Sequence, residues 1–333
     1  MLGLVSAIAA SLTLAACSTG AADTAETQGA GAEGTITVQD NNGTQTVEMP
    51  AQSIVALDNR TFETLESWGV ELAAAPLDLM PTTIGYKTDE SIVNIGNHRE
   101  PNLEAIAAVE PDLVIMGQRF TEYEDQIAEL VPNATIISLE PREGEDFASE
   151  LKRQTTVLGE LFGKQDEAAA LNADFDAAYD RVAEAAPGGE TVMAVDTSGG
   201  KIGYIAPTIG RTLGVVFDWF GFTPALEVEG ASDNHEGDEV SVEAIAESNP
   251  DWILVMDRDA AVAADEPGYQ PGADLLAESE ALAQVTAIQQ GQIVVMPADT
   301  YTNEGIQTYT EYLNQLADAF DAAAQRSSPT SHR

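Results

Sequence analysis

One cysteine, Cys17, occurs in 333 residues. An intramolecular disulfide, a cysteine-based zinc site and an iron–sulfur cluster are therefore excluded. Positive charge is also scarce: 14 Lys and Arg stand against 56 Asp and Glu, a formal net charge of −42. So anionic a surface repels nucleic acid and anionic lipid, and neither is expected as a partner. Low Lys with abundant Asp, Glu and Ala reads as adaptation to salt, which screens self-repulsion. In such a chain every Arg at a loop tip stands out. Of three histidines, His332 belongs to the tail, leaving His98 and His235. A bare metal site would want several His and carboxylates converging. Signatures of catalysis are missing too. There is no nucleophile elbow, phosphate loop, dinucleotide fingerprint or HExxH, and no Ser–His or Cys–His pair stands out. The chain is not expected to be an enzyme.

The 44% hydrophobic content suffices for sizeable cores. The apolar run from Met1 to Leu14 is too short to span a bilayer and has the character of a signal h-region. It leads into Leu14-Ala15-Ala16-Cys17, which resembles a bacterial lipobox whose Cys is diacylated. No Lys or Arg precedes the run, which is read as a start assigned too far downstream. The segment 1–17 is thus expected to be a lipoprotein signal peptide ending at Cys17, and 18–34 a flexible tether of Gly, Ala, Thr and acid.

From Thr35 a hairpin is expected around Asn41-Asn42-Gly43. Short apolar runs then alternate with helical periodicity: Ser53–Leu57, Ile92–Ile95, Asp112–Met116 and Thr135–Leu139 as strands, with helices over Thr61–Trp68, Leu103–Val109, Tyr123–Leu130 and Phe147–Phe162. The stretch Gln165–Ala186 has no Gly or Pro and places Ala168, Leu171, Phe175, Ala178 and Val182 on one helical face. It would form a helix of roughly 33 Å. Alternation resumes beyond it: Thr191–Val195, Ile202–Ala206, Trp252–Met256 and Gln292–Met296 as strands, and Thr212–Phe220, Val242–Glu247 and Tyr309–Ala324 as helices. Such alternation indicates parallel α/β sheets.

A repeated phrase divides the chain. Leu103-Glu104-Ala105-Ile106-Ala107 leads through Pro111-Asp112 into Leu113-Val114-Ile115-Met116. Val242-Glu243-Ala244-Ile245-Ala246 leads through Pro250-Asp251 into Trp252–Met256. The fold class is therefore α/β, with two similar lobes joined by a single long helix: an N-terminal lobe over 35–163, a linker helix over 164–186, a C-terminal lobe over 187–325 and a disordered tail over 326–333. Each phrase is followed by an arginine, Arg119 and Arg258. In open α/β sheets ligands bind beyond the carboxyl ends of the strands, so each lobe would aim a guanidinium at a ligand between them. Arg60, just after the first parallel strand, could reach the same cleft.

The phrases from Gly96-Asn97-His98-Arg99-Glu100-Pro101 to Arg119, with His235-Glu236-Gly237, Val240–Ile245, Asn249-Pro250-Asp251 and Met256-Asp257-Arg258, resemble the lipoprotein substrate-binding proteins of ABC importers for ferric siderophores. The resemblance is to the catecholate, petrobactin-type branch and covers roughly residues 35–320. It implies a substrate-binding protein that takes an anionic Fe(III)-siderophore as ligand, has no intrinsic cofactor, and acts as a monomer lipid-anchored on the extracytoplasmic face of the membrane. It implies three cleft arginines, carried over to Arg119, Arg258 and Arg211, and iron contacts at His235 and Tyr301. It also implies permease contacts at Glu104 and Glu243, which the repeat places at equivalent points of the two lobes. Arginine forks onto anionic oxygens, and Fe(III) favours phenolate oxygen while accepting imidazole. The alternative within this fold is haem, cobalamin or a bare metal ion.

Overall fold

The computed structural model describes residues 34–327. The signal peptide, Cys17 and nearly all of the tether lie outside the described residues. Gly34, the tether's last residue, already belongs to the first strand. The hairpin forms as β1 (Gly34–Asp40) and β2 (Gly43–Met49), paired antiparallel with Asp40 opposite Gly43. Its inward residues Val38 and Val47 are buried against the N-terminal core.

The N-terminal half continues through β3 (Ile54–Ala56), α1 (Phe62–Ser67), β4 (Ala74–Ala75), β5 (Val93–Asn94), α2 (Leu103–Ala108), β6 (Leu113–Met116), α3 (Glu124–Leu130) and β7 (Thr135–Ser138). The strands form one parallel sheet in the order β5-β4-β3-β6-β7. β6 is buried along its whole length, as a central parallel strand covered on both faces requires.

Two long helices follow, α4 (Phe147–Phe162) and α5 (Gln165–Ala185). α4 serves both halves. Ala148 and Leu151 near its start lie in the C-terminal core, while Val157, Leu158 and Leu161 near its end lie in the N-terminal one. α5 then runs back from that end toward the second sheet. Of the expected face Leu171 is half-buried, and Ala168, Phe175, Ala178 and Val182 are buried. The last three pack with Tyr312, Leu313 and Leu316 of the closing helix. The long helix is therefore a connector and a core helix at once.

The C-terminal half comprises β8 (Thr191–Ser198), β9 (Lys201–Ile205), α6 (Gly214–Phe220), β10 (Thr223–Pro224), β11 (Asp238–Glu239), α7 (Val242–Ser248), β12 (Trp252–Asp257), α8 (Arg258–Val262), α9 (Gly272–Ala277), α10 (Thr286–Gln290), β13 (Ile293–Val295) and α11 (Ile306–Ser327). The sheet order is β11-β9-β8-β12-β13, with β10 beside β8. This sheet is mixed, not wholly parallel: β8 and β9 form an antiparallel hairpin over Gly199-Gly200, and β11 is antiparallel to β9. α11 continues to Ser327, past Arg326 where the tail was expected to begin. Among the described residues no helix is long and apolar enough to cross a membrane.

The repeated phrase does the same structural work twice. Asn102 caps α2 and Ser241 caps α7, each side-chain oxygen accepting from the N–H three residues on. Glu110 and Asn249, at matching points, both turn the chain at positive φ, 46° and 44°. The Asp112 carboxylate accepts from the Gln52 and Ser53 N–H groups at 2.6 and 3.0 Å, and Asp251 accepts from the Thr191 N–H at 2.8 Å. Each Pro-Asp therefore pins the start of the neighbouring strand and fixes the register of the central pair. The carboxyl ends of β6 and β12 are thereby set in equivalent positions.

Candidate functional site

Four segments converge beyond those strand ends. Arg119 follows β6 on a 3-10 turn, Gln118–Tyr123. Arg258 is the first residue of α8, whose start is capped by Asp257 at the end of β12. Arg211 lies in the loop before α6, between Thr208 and Thr212, which both have positive φ. Tyr301 sits on a 3-10 turn, Thr300–Thr302, after β13. The guanidinium carbons of Arg119, Arg211 and Arg258 lie 5.2, 4.6 and 4.9 Å from the centre of the Tyr301 ring. Tyr301 is only 6% exposed. Burial pushes its hydroxyl up, but the hydrogen bond from Arg258 and the charges of Arg119 and Arg211 outweigh that and hold it below the ordinary tyrosine value. A phenol so placed gives up its proton more easily than an ordinary tyrosine and is a suitable oxygen donor for a hard cation such as Fe(III).

Behind this cluster lies Glu304, whose side chain is 5% exposed. One carboxylate oxygen accepts from Arg211 Nε at 3.0 Å and Thr212 Oγ1 at 2.6 Å. The other accepts from Gln118 Nε2 at 2.9 Å and lies 3.8 Å from Arg60. Burial raises this carboxyl, but Arg211 and Arg60 pull it down to about 2. Arg60 is also held by Glu140 at 3.3 Å and stacks over Phe147. All three expected cleft arginines surround Tyr301, but one of them, Arg211, is not free. Arg211 and Arg60 are neutralised by Glu304 and Glu140, because a buried guanidinium needs a counter-ion. Among the described residues Arg119 makes no ion pair, and Arg258 has Asp259 at 3.5 Å and Ser198 Oγ at 3.1 Å. Each half also buries a carboxyl behind the arginines. Asp58 and Asp196 are both pushed up by burial to about 7, against the pull of Arg60 and Arg258 respectively.

The cluster stands between two chambers. The larger, about 910 Å³, is bounded by Arg60, Arg119 and Arg211 and by an aromatic wall of Phe147, Trp219 and Tyr309. The smaller, about 380 Å³, is bounded by Tyr301, Arg119 and Arg258, and by the loop carrying His98. Arg119 faces both. A third cavity, of about 800 Å³, lies within the C-terminal half beside β9 and β11 and holds neither the arginines nor Tyr301.

His235 borders neither chamber. It stands in the loop before β11, its side chain 49% exposed and its Nε2 3.8 Å from Glu236. His98 lines the smaller chamber with Tyr301. Glu104 and Glu243 lie in the first turns of α2 and α7, both exposed. Glu304 and Gln118 carried no sequence signal. One acid among 56 is invisible without a motif, although Glu304 lies only three residues after Tyr301.

The family model described as "Periplasmic binding protein" matches residues 54–300; this is a family of substrate-binding proteins, not of enzymes. The chain is 25% identical to the petrobactin-binding protein YclQ of Bacillus subtilis, over 85% of this chain and 86% of that protein. It is 29% identical to the ferric-anguibactin-binding protein FatB of Vibrio anguillarum, over 80% and 81% of the respective chains. Among solved structures, a TroA-like periplasmic binding protein from Xylanimonas cellulosilytica superposes with a TM-score of 0.68 at 27% identity, covering 86% of this chain and 99% of that one.

Proposed function

The chain belongs to the periplasmic binding protein family, and we propose that it captures an anionic ferric siderophore, of catecholate type, in the cleft between its two lobes. The observation that carries this reading is the Tyr301 phenol enclosed by three guanidinium groups. Fixed cations meet the anionic complex, and the phenol, held below its ordinary value, offers oxygen to the iron. The named ligands of the relatives, petrobactin and ferric anguibactin, support it. A bare ion is less well served: among the described residues no group of three His, Cys, Asp or Glu could hold one.

In this reading the lobes are 35–163 and 187–325, linked through 164–186. Arg119 and Arg258 meet the ligand directly, while Arg211 and Arg60 act through the Glu304 knot. Tyr301 offers its oxygen to the iron of a siderophore that supplies only four donors, and His235, exposed and outside both chambers, completes the shell only if its loop folds over the ligand. Cys17 anchors the chain by lipid on the extracytoplasmic face, and Glu104 and Glu243 dock on the two halves of an ABC importer permease, which receives the ligand for iron uptake.

Titration of the purified protein with a panel of ferric siderophores tests this. Trp219 borders the larger chamber, so ferric catecholates are expected to quench its fluorescence with an affinity of about micromolar or tighter. Replacing Tyr301 and His235 together should weaken four-donor complexes far more than six-donor ones; equal weakening would remove the coordination role. No binding across the panel would defeat the reading.

A further inference from the structure

The two chambers differ in charge. The larger is lined by three cations, Arg60, Arg119 and Arg211, and by six acids: Glu140, Glu145, Asp146, Asp218, Asp233 and Glu304. The smaller is lined by four cations, Lys87, Arg99, Arg119 and Arg258, and by one acid, Asp78. Four of the 14 cations of a chain with net charge −42 therefore surround about 380 Å³. In the larger chamber Arg60 and Arg211 are already bound to Glu140 and Glu304. Among the described residues its remaining four acids make no ion pair, so the field there opposes an anion.

The added groups of the smaller chamber are held in place. Lys87 donates to the Leu77 carbonyl, which fixes its ammonium and leaves two N–H donors for another acceptor. The carbonyl of His98 accepts from Tyr123 Oη at 2.8 Å, on the turn that carries Arg119. The Arg99 N–H is tied to Asn97 Oδ1 at 2.9 Å. Burial, then Arg119 and Arg99, hold the His98 imidazole below its usual range. Among the described residues its Nδ1 is buried without a partner. Leu79, Met80 and Ala261 line the same space, and an apolar wall strengthens the pull of nearby charge. Tyr301 faces this chamber and not the larger one.

We propose that the anionic, metal-bearing end of the ligand seats in the smaller chamber, and that Lys87, His98 and Arg99 are ligand-binding residues beside Tyr301, Arg119 and Arg258. The larger, acidic chamber then receives a part of the ligand that carries no negative charge. This rests on the ferric-siderophore reading and adds the ligand's orientation to it.

The test uses the full chain and the ferric complex of a bis-catecholamide. The pair Lys87→Gln/Arg99→Gln is expected to bind about tenfold more weakly at low salt, the gap closing toward about 0.5 M NaCl as screening removes it. Lys87→Arg/Arg99→Lys and Glu145→Gln/Asp233→Asn should each stay within about twofold of the parent. His98→Gln, which keeps an N–H donor, should outbind His98→Ala. The proposal is overturned if the glutamine pair binds like the parent, if the charge-keeping pair loses as much as the glutamine pair, or if removing the acids alone tightens binding about tenfold, which would seat the anion in the larger chamber. A parent chain that fails to bind overturns the functional reading and this inference together. A parent that binds beside an unaffected glutamine pair overturns this inference alone.

Discussion

Of the eight tyrosines, seven have hydroxyls pushed up by burial, and Tyr301 alone is held down. It is therefore expected to be the first tyrosine to ionise as pH rises, detected by phenolate absorbance. Tyr301→Phe should remove that first step, and Arg258→Gln should move it to higher pH. If the first step survives in Tyr301→Phe, the enclosed-phenol argument fails. The sign of the stability effect follows. Below its folded pKa the phenol is protonated in folded and unfolded chains alike and contributes no pH dependence. As pH rises from there toward the unfolded value of about 10, the folded chain gains stability, and it loses that gain as pH falls back through the folded value. Arg119, Arg258 and Tyr301 were reached from sequence because they follow a repeated phrase or match a family pattern. Their electrostatic setting was not legible. It depends on Glu304, which only the fold brings beneath Arg211 and Arg60.

Elements long enough to show a period were legible, and shorter ones were not. α4 forms over the whole expected range, and α5 shows the expected buried face. The helices α8, α9 and α10 have five or six residues each, under two turns, too few to display an apolar stripe. β4 has two residues and only backbone pairing to define it. The β8–β9 hairpin was legible as two strands, Thr191–Val195 and Ile202–Ala206, but the parallel pattern elsewhere hid their antiparallel pairing. One contact between elements was also hidden. α4 and α5 cross so closely that a Cβ on Gly159 would lie 2.6 Å from Ala168 Cβ and 3.1 Å from the Lys164 carbonyl. Gly159→Ala should wedge the helices apart and cost about 1–3 kcal/mol, read as a lower denaturant midpoint with unchanged slope. A variant as stable as the parent would show that the two helices are not held at this crossing.

At the scale of the whole molecule, more than α5 joins the halves. The segment from Asp299 to Gln307 lies against the N-terminal half along its length. Thr83 donates to Asp299 at 2.5 Å, Asn59 to the Thr302 carbonyl at 2.8 Å, Asn303 to Glu63 at 2.8 Å, Gln118 to Glu304 at 2.9 Å, and Thr64 to Gln307 at 2.9 Å. A Cβ on Gly305 would meet the Arg60 carbonyl at 2.7 Å, so the backbones there are as close as glycine permits. α4 shares its apolar face between both cores. A wide hinge motion would have to break these bonds and strip Glu304 of Gln118 and Arg60, leaving a buried carboxylate short of partners. The cleft should therefore be largely preformed, with the lobes rocking only slightly when ligand enters. Glu104 and Glu243, exposed on corresponding helices of the two halves, offer positions to measure this, and a chain carrying Cys17→Ala contains no other cysteine. Spin labels on Glu104→Cys and Glu243→Cys should keep their separation to within about 3 Å on adding ferric siderophore, whereas domain closure of the hinge type would shift it by about 10 Å or more. Glu304→Gln should broaden the distance distribution without ligand, because it weakens the charged knot that ties Arg60 to Arg211 across the cleft. A shift of the larger size in the parent chain would mean that the bridging segment yields on binding, and that the cleft is assembled by its ligand.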